Sequence, residues 1–302
     1  MIYVMTGQTA TGKTARALEL AQIYNGELIN ADSRQVYTGL DIVTGKDLDL
    51  TTHTFTSVQK SEQFDIGYYE TTSSMRIWLY DVLSPKNPFS AFDFVRLAKT
   101  VISDIRSRGK TPIIVGGTYF YISQLLYGAS SAGEPNWEIR KELSTKSIEE
   151  LQEILSLLDT NLFQSLNQSE RRNPQRLIRK IEIIKTQGAI CSTSSREMQF
   201  TEVEIRGLCH REKHNLEEKI RARVLSRLEK GALEEVQNLV RKGYSMQDPG
   251  IKTIGYPQII SHLAGDINYE GLIKAWTTKE IQYAKRQMTL MKSDSHIQWS
   301  TV

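Results

Sequence analysis

Cysteine is nearly absent from this chain: 302 residues contain two, Cys191 and Cys209, too few and too far apart for a disulfide framework. Both are expected to be unpaired thiols in a reducing compartment. No run approaches the 18 apolar residues needed to cross a bilayer, and no basic stretch leads into an apolar one at the start. A cytoplasmic protein with no membrane partner is therefore expected. Repeats and low-complexity tracts are also missing, which excludes solenoids and arrays. Net charge is only +3: residues 1–130 carry 12 basic and 12 acidic side chains, so the remainder, with 26 against 23, holds the whole excess. Any polyanion is thereby directed weakly toward the second half. With 39% hydrophobic and 24% charged residues, the composition is that of an ordinary globular protein of one or two domains.

What is present begins at residue 7. Gly7-Gln8-Thr9-Ala10-Thr11-Gly12-Lys13-Thr14 is a complete phosphate-binding loop between a predicted strand, Ile2 to Met5, and a predicted helix, Lys13 to Ile23. Its glycines let the backbone turn its N–H groups onto an anion, and the helix N-terminus behind adds partial positive charge. Lys13 supplies a full charge, and Thr14 a hydroxyl suited to Mg²⁺. Chance would place the four fixed positions in about one chain of this length in a hundred, before the flanking strand and helix are considered.

Further strands are predicted at Gly26 to Asn30, Met75 to Val82, Pro112 to Val115 and Thr201 to Cys209. Helical periodicity fills the intervals, the pattern of a parallel sheet covered by helices. Thr51 to Glu70 reads as a small hairpin or a loop. After a Ser, Ala and Gly stretch at Ala129 to Gly133, short amphipathic helices continue to about Gly188 with no convincing strand. Helices are expected over Glu212 to Lys242, Pro257 to Leu263 and Tyr269 to Lys292. The expected architecture is thus a P-loop NTPase-like α/β core over 1–130, an all-helical insertion over 131–200, and a return to the core over 201–302.

Two carboxylates compete for a role beside the loop. Asp32, in Asn30-Ala31-Asp32-Ser33-Arg34-Gln35, follows the second strand at the sheet edge where open α/β folds bind ligands. It is placed either to take a proton from a nucleophile or merely to cap the next turn. Asp81, after the apolar run Ile77-Trp78-Leu79-Tyr80, sits where phosphate-loop NTPases hold Mg²⁺. Thr118, after Gly116-Gly117, is either a pocket residue or another cap. Arg221 and Arg223 lie among alternating charges that usually mark a solvated helix face.

Several segments occur together in a specific order: GQTATGKT, NADSRQVYTGLDI, Val115-Gly116-Gly117-Thr118, Asn173-Pro174-Gln175-Arg176, Thr253-Ile254-Gly255-Tyr256 and Tyr283-Ala284-Lys285-Arg286-Gln287. In this order they resemble the tRNA dimethylallyltransferase family across nearly the whole chain. The resemblance implies transfer of a dimethylallyl group from its diphosphate to the N6 amine of the adenosine just 3′ of the tRNA anticodon, position 37, with Mg²⁺ as cofactor; a monomer is the expected form. It implies Asp32 as general base, and Gly7, Gln8, Thr9, Ala10, Thr11, Gly12, Lys13 and Thr14 around the diphosphate, with Thr14 on the metal. Thr118 joins the catalytic pocket, and Arg223 is assigned to the leaving diphosphate. Contacts to the tRNA anticodon stem-loop are implied for Asp32, Ser33, Arg34, Gln35 and Thr118; for Arg140, Gln175, Arg176, Leu177, Ile178 and Arg179; and for Lys252, Thr253, Ile254, Gly255, Tyr256 and Pro257. Arg171, Arg172, Arg176, Arg179 and Lys180 make a basic stretch suited to phosphates.

The chain departs from the family pattern at Leu290, usually Trp, at Asn173, usually Asp, and at Val43-Thr44-Gly45-Lys46, usually Gly-Thr-Ala-Lys. The alternative functions are a small-molecule kinase or NTPase using Asp81 with ATP, a prenyltransferase for free adenine nucleotides, and a non-catalytic RNA-binding scaffold. The intact Gly7, Gly12, Lys13, Thr14 and Asp32 oppose the last.

Overall fold

A computed structural model describes residues 1–46, 53–71, 74–128, 133–188, 197–211 and 213–302. Cys191 and most of the Ala129 to Gly133 stretch lie outside the described residues. The chain divides into two compact units, Met1–Leu126 with Gln199–Val302, and Tyr127–Met198.

The first unit opens with β1 (Ile2–Gly7), α1 (Lys13–Ile23), β2 (Gly26–Asn30), β3 (Phe55–Lys60), β4 (Asp65–Glu70) and β5 (Arg76–Trp78). It continues through α2 (Ala91–Ser107), β6 (Thr111–Val115) and α3 (Tyr119–Tyr127). The second unit holds α4 (Trp137–Leu143), α5 (Ile148–Leu158), α6 (Thr160–Ser165), α7 (Gln168–Arg171) and α8 (Pro174–Gln187). The chain then returns as β7 (Val203–Cys209), α9 (Lys213–Glu229), α10 (Ala232–Arg241), α11 (Tyr256–Leu263), α12 (Tyr269–Met291) and β8 (Ile297–Thr301).

The eight strands form one sheet in the order β3-β4-β5-β2-β6-β1-β7-β8. From β5 to β8 all neighbours pair in parallel, whereas β3 and β4 add an antiparallel edge, so the sheet is mixed. β1 and β2 are buried along their whole length, and β1 accordingly reads as an apolar run from Ile2 to Met5. β3 is mostly exposed and carries a register shift between Ser57 and Gln59, which blunts a free edge. The Thr51 to Glu70 alternative is thus decided as a hairpin over its described part. β8 escapes sequence reading because it is only five residues long and four of them are exposed.

The strand predicted over Met75 to Val82 is cut to three residues. Leu79 (φ 65°) and Asp81 (φ 54°) leave the β region, and the turn they make presents the Tyr80 side chain toward the sheet edge. The helix predicted to run to Lys242 is two, divided at Gly231 with φ 97°.

The helical unit has its own core of Leu143, Leu151, Leu155, Leu166, Leu177 and Ile181. Its helices start on side-chain caps: Ser147 with Glu150, Asn167 with Glu170, and Asn173, whose side chain accepts the Arg176 amide 3.2 Å away. Pro174 at the first helical position and left-handed Gly188 at the end complete α8. Asn173 thus does the capping work open to the family's usual Asp.

Candidate active site at the carboxyl edge of the sheet

β1 delivers the phosphate loop to the edge of the sheet. Gly7 has φ 140°, and a Cβ there would sit 2.1 Å from the Leu208 carbonyl oxygen of β7, so no larger residue fits. Gly12 meets nothing within 4 Å but takes φ 75° to start α1. Inside the loop the Gln8 carbonyl accepts from the Thr11 hydroxyl (2.8 Å) and from Lys13 Nζ (2.6 Å). Lys13 is therefore held over its own loop, within reach of anything the amides bind.

The loop opens onto a cavity of about 570 Å³. Lys13, Arg34, Arg223, Arg227, Lys252 and Arg286 line it against only Asp32 and Glu280, and Arg227 is already paired with Glu280 at 3.0 Å. This excess of positive charge suits an anion. Val43, Tyr80, Val115, Ile254 and the Tyr283 ring supply an apolar wall.

Arg223 donates to the Thr9 hydroxyl at 2.5 Å and lines the cavity, whereas Arg221 is exposed. Helix phase thus selects one arginine of the two. Asp32 also lines the cavity; its Oδ1 accepts the Arg34 amide (2.9 Å) and its own amide donates to Asn30 Oδ1 (3.2 Å). The turn-closing bond leaves a chemical role open, because it uses one oxygen and the residue still lines the cavity. Thr118 does not cap α3 with its side chain. Its hydroxyl accepts the Ser33 amide at 3.0 Å and donates to Ser33 Oγ at 3.2 Å, tying the segment after β2 to the turn after β6.

Asp81 is elsewhere. It accepts Lys46 Nζ at 2.6 Å and the Tyr69 hydroxyl at 2.7 Å, and is not among the residues lining the cavity. Lys46 is fully buried and also binds Asp41 (2.6 Å) and the Tyr37 carbonyl (2.8 Å). The carboxylate at the NTPase metal position is thereby committed to an internal ion pair, which removes the observation on which the kinase reading rested.

Three contributors to the site are not assigned by sequence reasoning. Gln287 of α12 accepts the Thr9 amide at 3.1 Å and donates to the Gly117 carbonyl at 2.8 Å, bridging the phosphate loop and the Gly116-Gly117 turn. Arg227, one helical turn beyond Arg223, donates to the Thr44 carbonyl at 3.1 Å. Tyr283 stands beside Asp32 and Thr118: burial pushes its phenol above the ordinary value, the Asp32 charge adds to the rise, and a hydrogen bond with Thr118 opposes it. Tyr283 is consequently a neutral hydrogen-bonding phenol at physiological pH. The i, i+4 spacing of Arg223 with Arg227 and of Tyr283 with Gln287 was the available signal, since each pair shares a helix face.

The IPP transferase family model matches residues 35–294. The chain belongs to the tRNA dimethylallyltransferase family. A tRNA dimethylallyltransferase of Geotalea uraniireducens is 34% identical over 305 aligned residues, covering 99% of this chain and 91% of that protein. One from Staphylococcus haemolyticus is 33% identical, over 99% and 86%. Among solved structures, the tRNA delta(2)-isopentenylpyrophosphate transferase of Staphylococcus epidermidis is similar with a TM-score of 0.65 at 30% identity, over all of this chain and 93% of that one.

Within the family pattern, Val43-Thr44-Gly45-Lys46 departs in sequence but is firmly bonded. Gln35 Nε2 donates to the Gly45 carbonyl at 2.9 Å, and Arg227 holds Thr44. A Cβ on Gly45 (φ 67°) would lie 2.5 Å from Arg227 Nη2 and 2.9 Å from Arg223 Nη2, so the glycine lets both guanidinium groups close on the loop. The family match carries Leu177 and Tyr256 to the RNA surface, and the structure corrects both. Leu177 is fully buried in the helical core, and Tyr256 is fully buried with its hydroxyl on Glu235 at 2.6 Å. Gly255 is likewise buried; with no Cβ it lets Val43 and Trp276 pack on it, and it takes φ 106°. Lys252, Thr253 and Ile254 line the cavity and Pro257 is half-buried. In the helical unit Gln175 and Arg176 are exposed, while Arg140, Ile178 and Arg179 are partly buried.

Proposed function

We propose that this chain transfers the dimethylallyl group to the N6 amine of the adenosine 3′ of the tRNA anticodon, with the phosphate loop holding the diphosphate that leaves. The observation carrying this reading is one cavity in which an anion cradle and an aspartate meet, with no carboxylate at the NTPase metal position available to it.

The chemistry follows from the residues. As the allylic C1–O bond lengthens, negative charge grows on the departing diphosphate, and the loop amides, Lys13 and Arg223 are already fixed around its place, so little reorganisation opposes the step. The apolar wall of Val43, Ile254 and Tyr283 gives the five-carbon chain a dry surface. The adenine amine is a weak nucleophile because its lone pair is delocalised into the ring. Asp32 orients it and accepts its proton as the C–N bond forms. Thr118 and Ser33 hold the backbone that carries Asp32.

Thr14 lines the cavity beside the phosphate loop, and its hydroxyl, a hard oxygen donor, would hold Mg²⁺ there together with the diphosphate. When bound, Mg²⁺ neutralises charge on the diphosphate.

Reaching a base amine in an anticodon loop requires the nucleotide to be splayed out of its stack. Arg34 and Lys252, both exposed and both lining the cavity, are suited to the flanking phosphates. In the helical unit Arg140, Gln175, Arg176 and Arg179 form the second set of contacts.

Two release assays test the reading. Given dimethylallyl diphosphate, Mg²⁺ and unmodified tRNA, one diphosphate is expected per adenosine modified, and added diphosphate competes with the donor. Orthophosphate release from ATP, with no diphosphate from the donor, would return the chain to the NTPases.

A further inference from the structure

Glu182 on α8 is 1% exposed, and within the helical unit it gathers two arginines from different helices. Its Oε2 accepts Arg140 Nε and Nη2, both at 2.9 Å, from α4, and Arg179 Nη1 at 2.7 Å from the preceding turn of α8. Its Oε1 accepts the Asn136 amide that opens α4. Each arginine has a second constraint. Arg140 lies 4.8 Å from the centre of the Trp137 ring, and Arg179 Nη2 donates to the Gly133 carbonyl at 3.0 Å. Both keep about a quarter of their side chains exposed, 25% and 28%.

A buried carboxylate needs a counter-charge, and one guanidinium already balances it. The second arginine leaves a net positive cluster in which each guanidinium is held by Glu182 and by one further contact, whereas Arg176 is exposed. Arginine side chains held in one geometry bind a phosphate without first losing their rotamer freedom.

We propose that Glu182 is a positioning residue that holds Arg140 and Arg179 in the orientation required by two phosphates of the RNA substrate. The proposal rests on the tRNA reading of the helical unit given above. It differs from a purely electrostatic role in sign. Glu182→Gln makes the unit more positive, so charge alone would tighten RNA binding, whereas loss of positioning weakens it.

Steady-state kinetics with the full chain separates the two. Glu182→Gln is expected to raise the tRNA KM about tenfold while kcat and the donor KM stay within about twofold. Glu142→Gln, an exposed site in the same unit with the same charge change, should leave the tRNA KM unchanged or lower it. Should Glu182→Gln lower the melting temperature enough to unfold the unit, Arg179→Lys serves instead, because it keeps the charge and loses the fork, and it too should raise the tRNA KM. An unchanged or lowered tRNA KM in the folded Glu182 variant, or in Arg179→Lys, overturns the proposal. Arg176→Ala tests the underlying reading separately: if it raises the tRNA KM and Glu182→Gln does not, only the positioning role fails, and if neither does, the RNA face itself is misassigned.

Discussion

Replacing Asp32 by Asn is expected to lower kcat by about a thousandfold, within the range spanned by general bases, with the donor and tRNA affinities almost unchanged. Asparagine is isosteric and keeps an oxygen to accept the Arg34 amide at 2.9 Å, so the turn after β2 survives. The Ser33 and Thr118 bonds do not involve the carboxylate and also survive. What is lost is the negative charge that accepts the amine proton. Rapid-quench turnover of pre-bound tRNA isolates this step, and near-native turnover would show that Asp32 only closes its turn.

Lys13→Ala is expected to act on both parameters of the donor: kcat falls at least a hundredfold, as when one charge-stabilising donor is removed, and the donor KM rises about tenfold. Lys13 Nζ is held 2.6 Å from the Gln8 carbonyl, and in the proposed reaction it would meet the bound diphosphate and, more strongly, the charge that develops as it departs. The tRNA KM should not change. Kinetics at varied donor and fixed tRNA checks this, and an effect confined to tRNA would contradict the assignment of the loop to diphosphate. The split between the variants is itself informative, because the proposed reaction has Asp32 serve the nucleophile and Lys13 the leaving group.

The legible parts of the site were those fixed by neighbours in the chain. The phosphate loop is contiguous, and its glycines are demanded by local backbone angles and by the approach of β7. Asp32 follows a strand whose end must face the ligand edge in a parallel sheet. Arg223 needed helix phase, which a charge pattern with alternating signs does not set. Gln287 binds the loop from almost the other end of the chain, and only the packing of α12 brings it there. Asp81 shows the opposite failure. Its position after an apolar strand suggested a metal acid, but its neighbours are chosen by tertiary structure, and Lys46, 35 residues away, neutralises it. Leu177 and Tyr256 were carried to the RNA surface because a motif transfers all its residues, including those whose apolar faces belong to the core. β8 shows a further limit, since a five-residue edge strand with one buried residue is too short to stand out from its surroundings.

Nucleoside analysis of the acceptor is the most direct measurement. The protein is incubated with Mg²⁺, dimethylallyl diphosphate and equal concentrations of unmodified tRNA, AMP and ATP, and the products are separated by mass. A dimethylallyl group is expected on the N6 amine of the adenosine 3′ of the anticodon, with the free nucleotides unchanged. Prenylated AMP with unmodified tRNA would contradict the account.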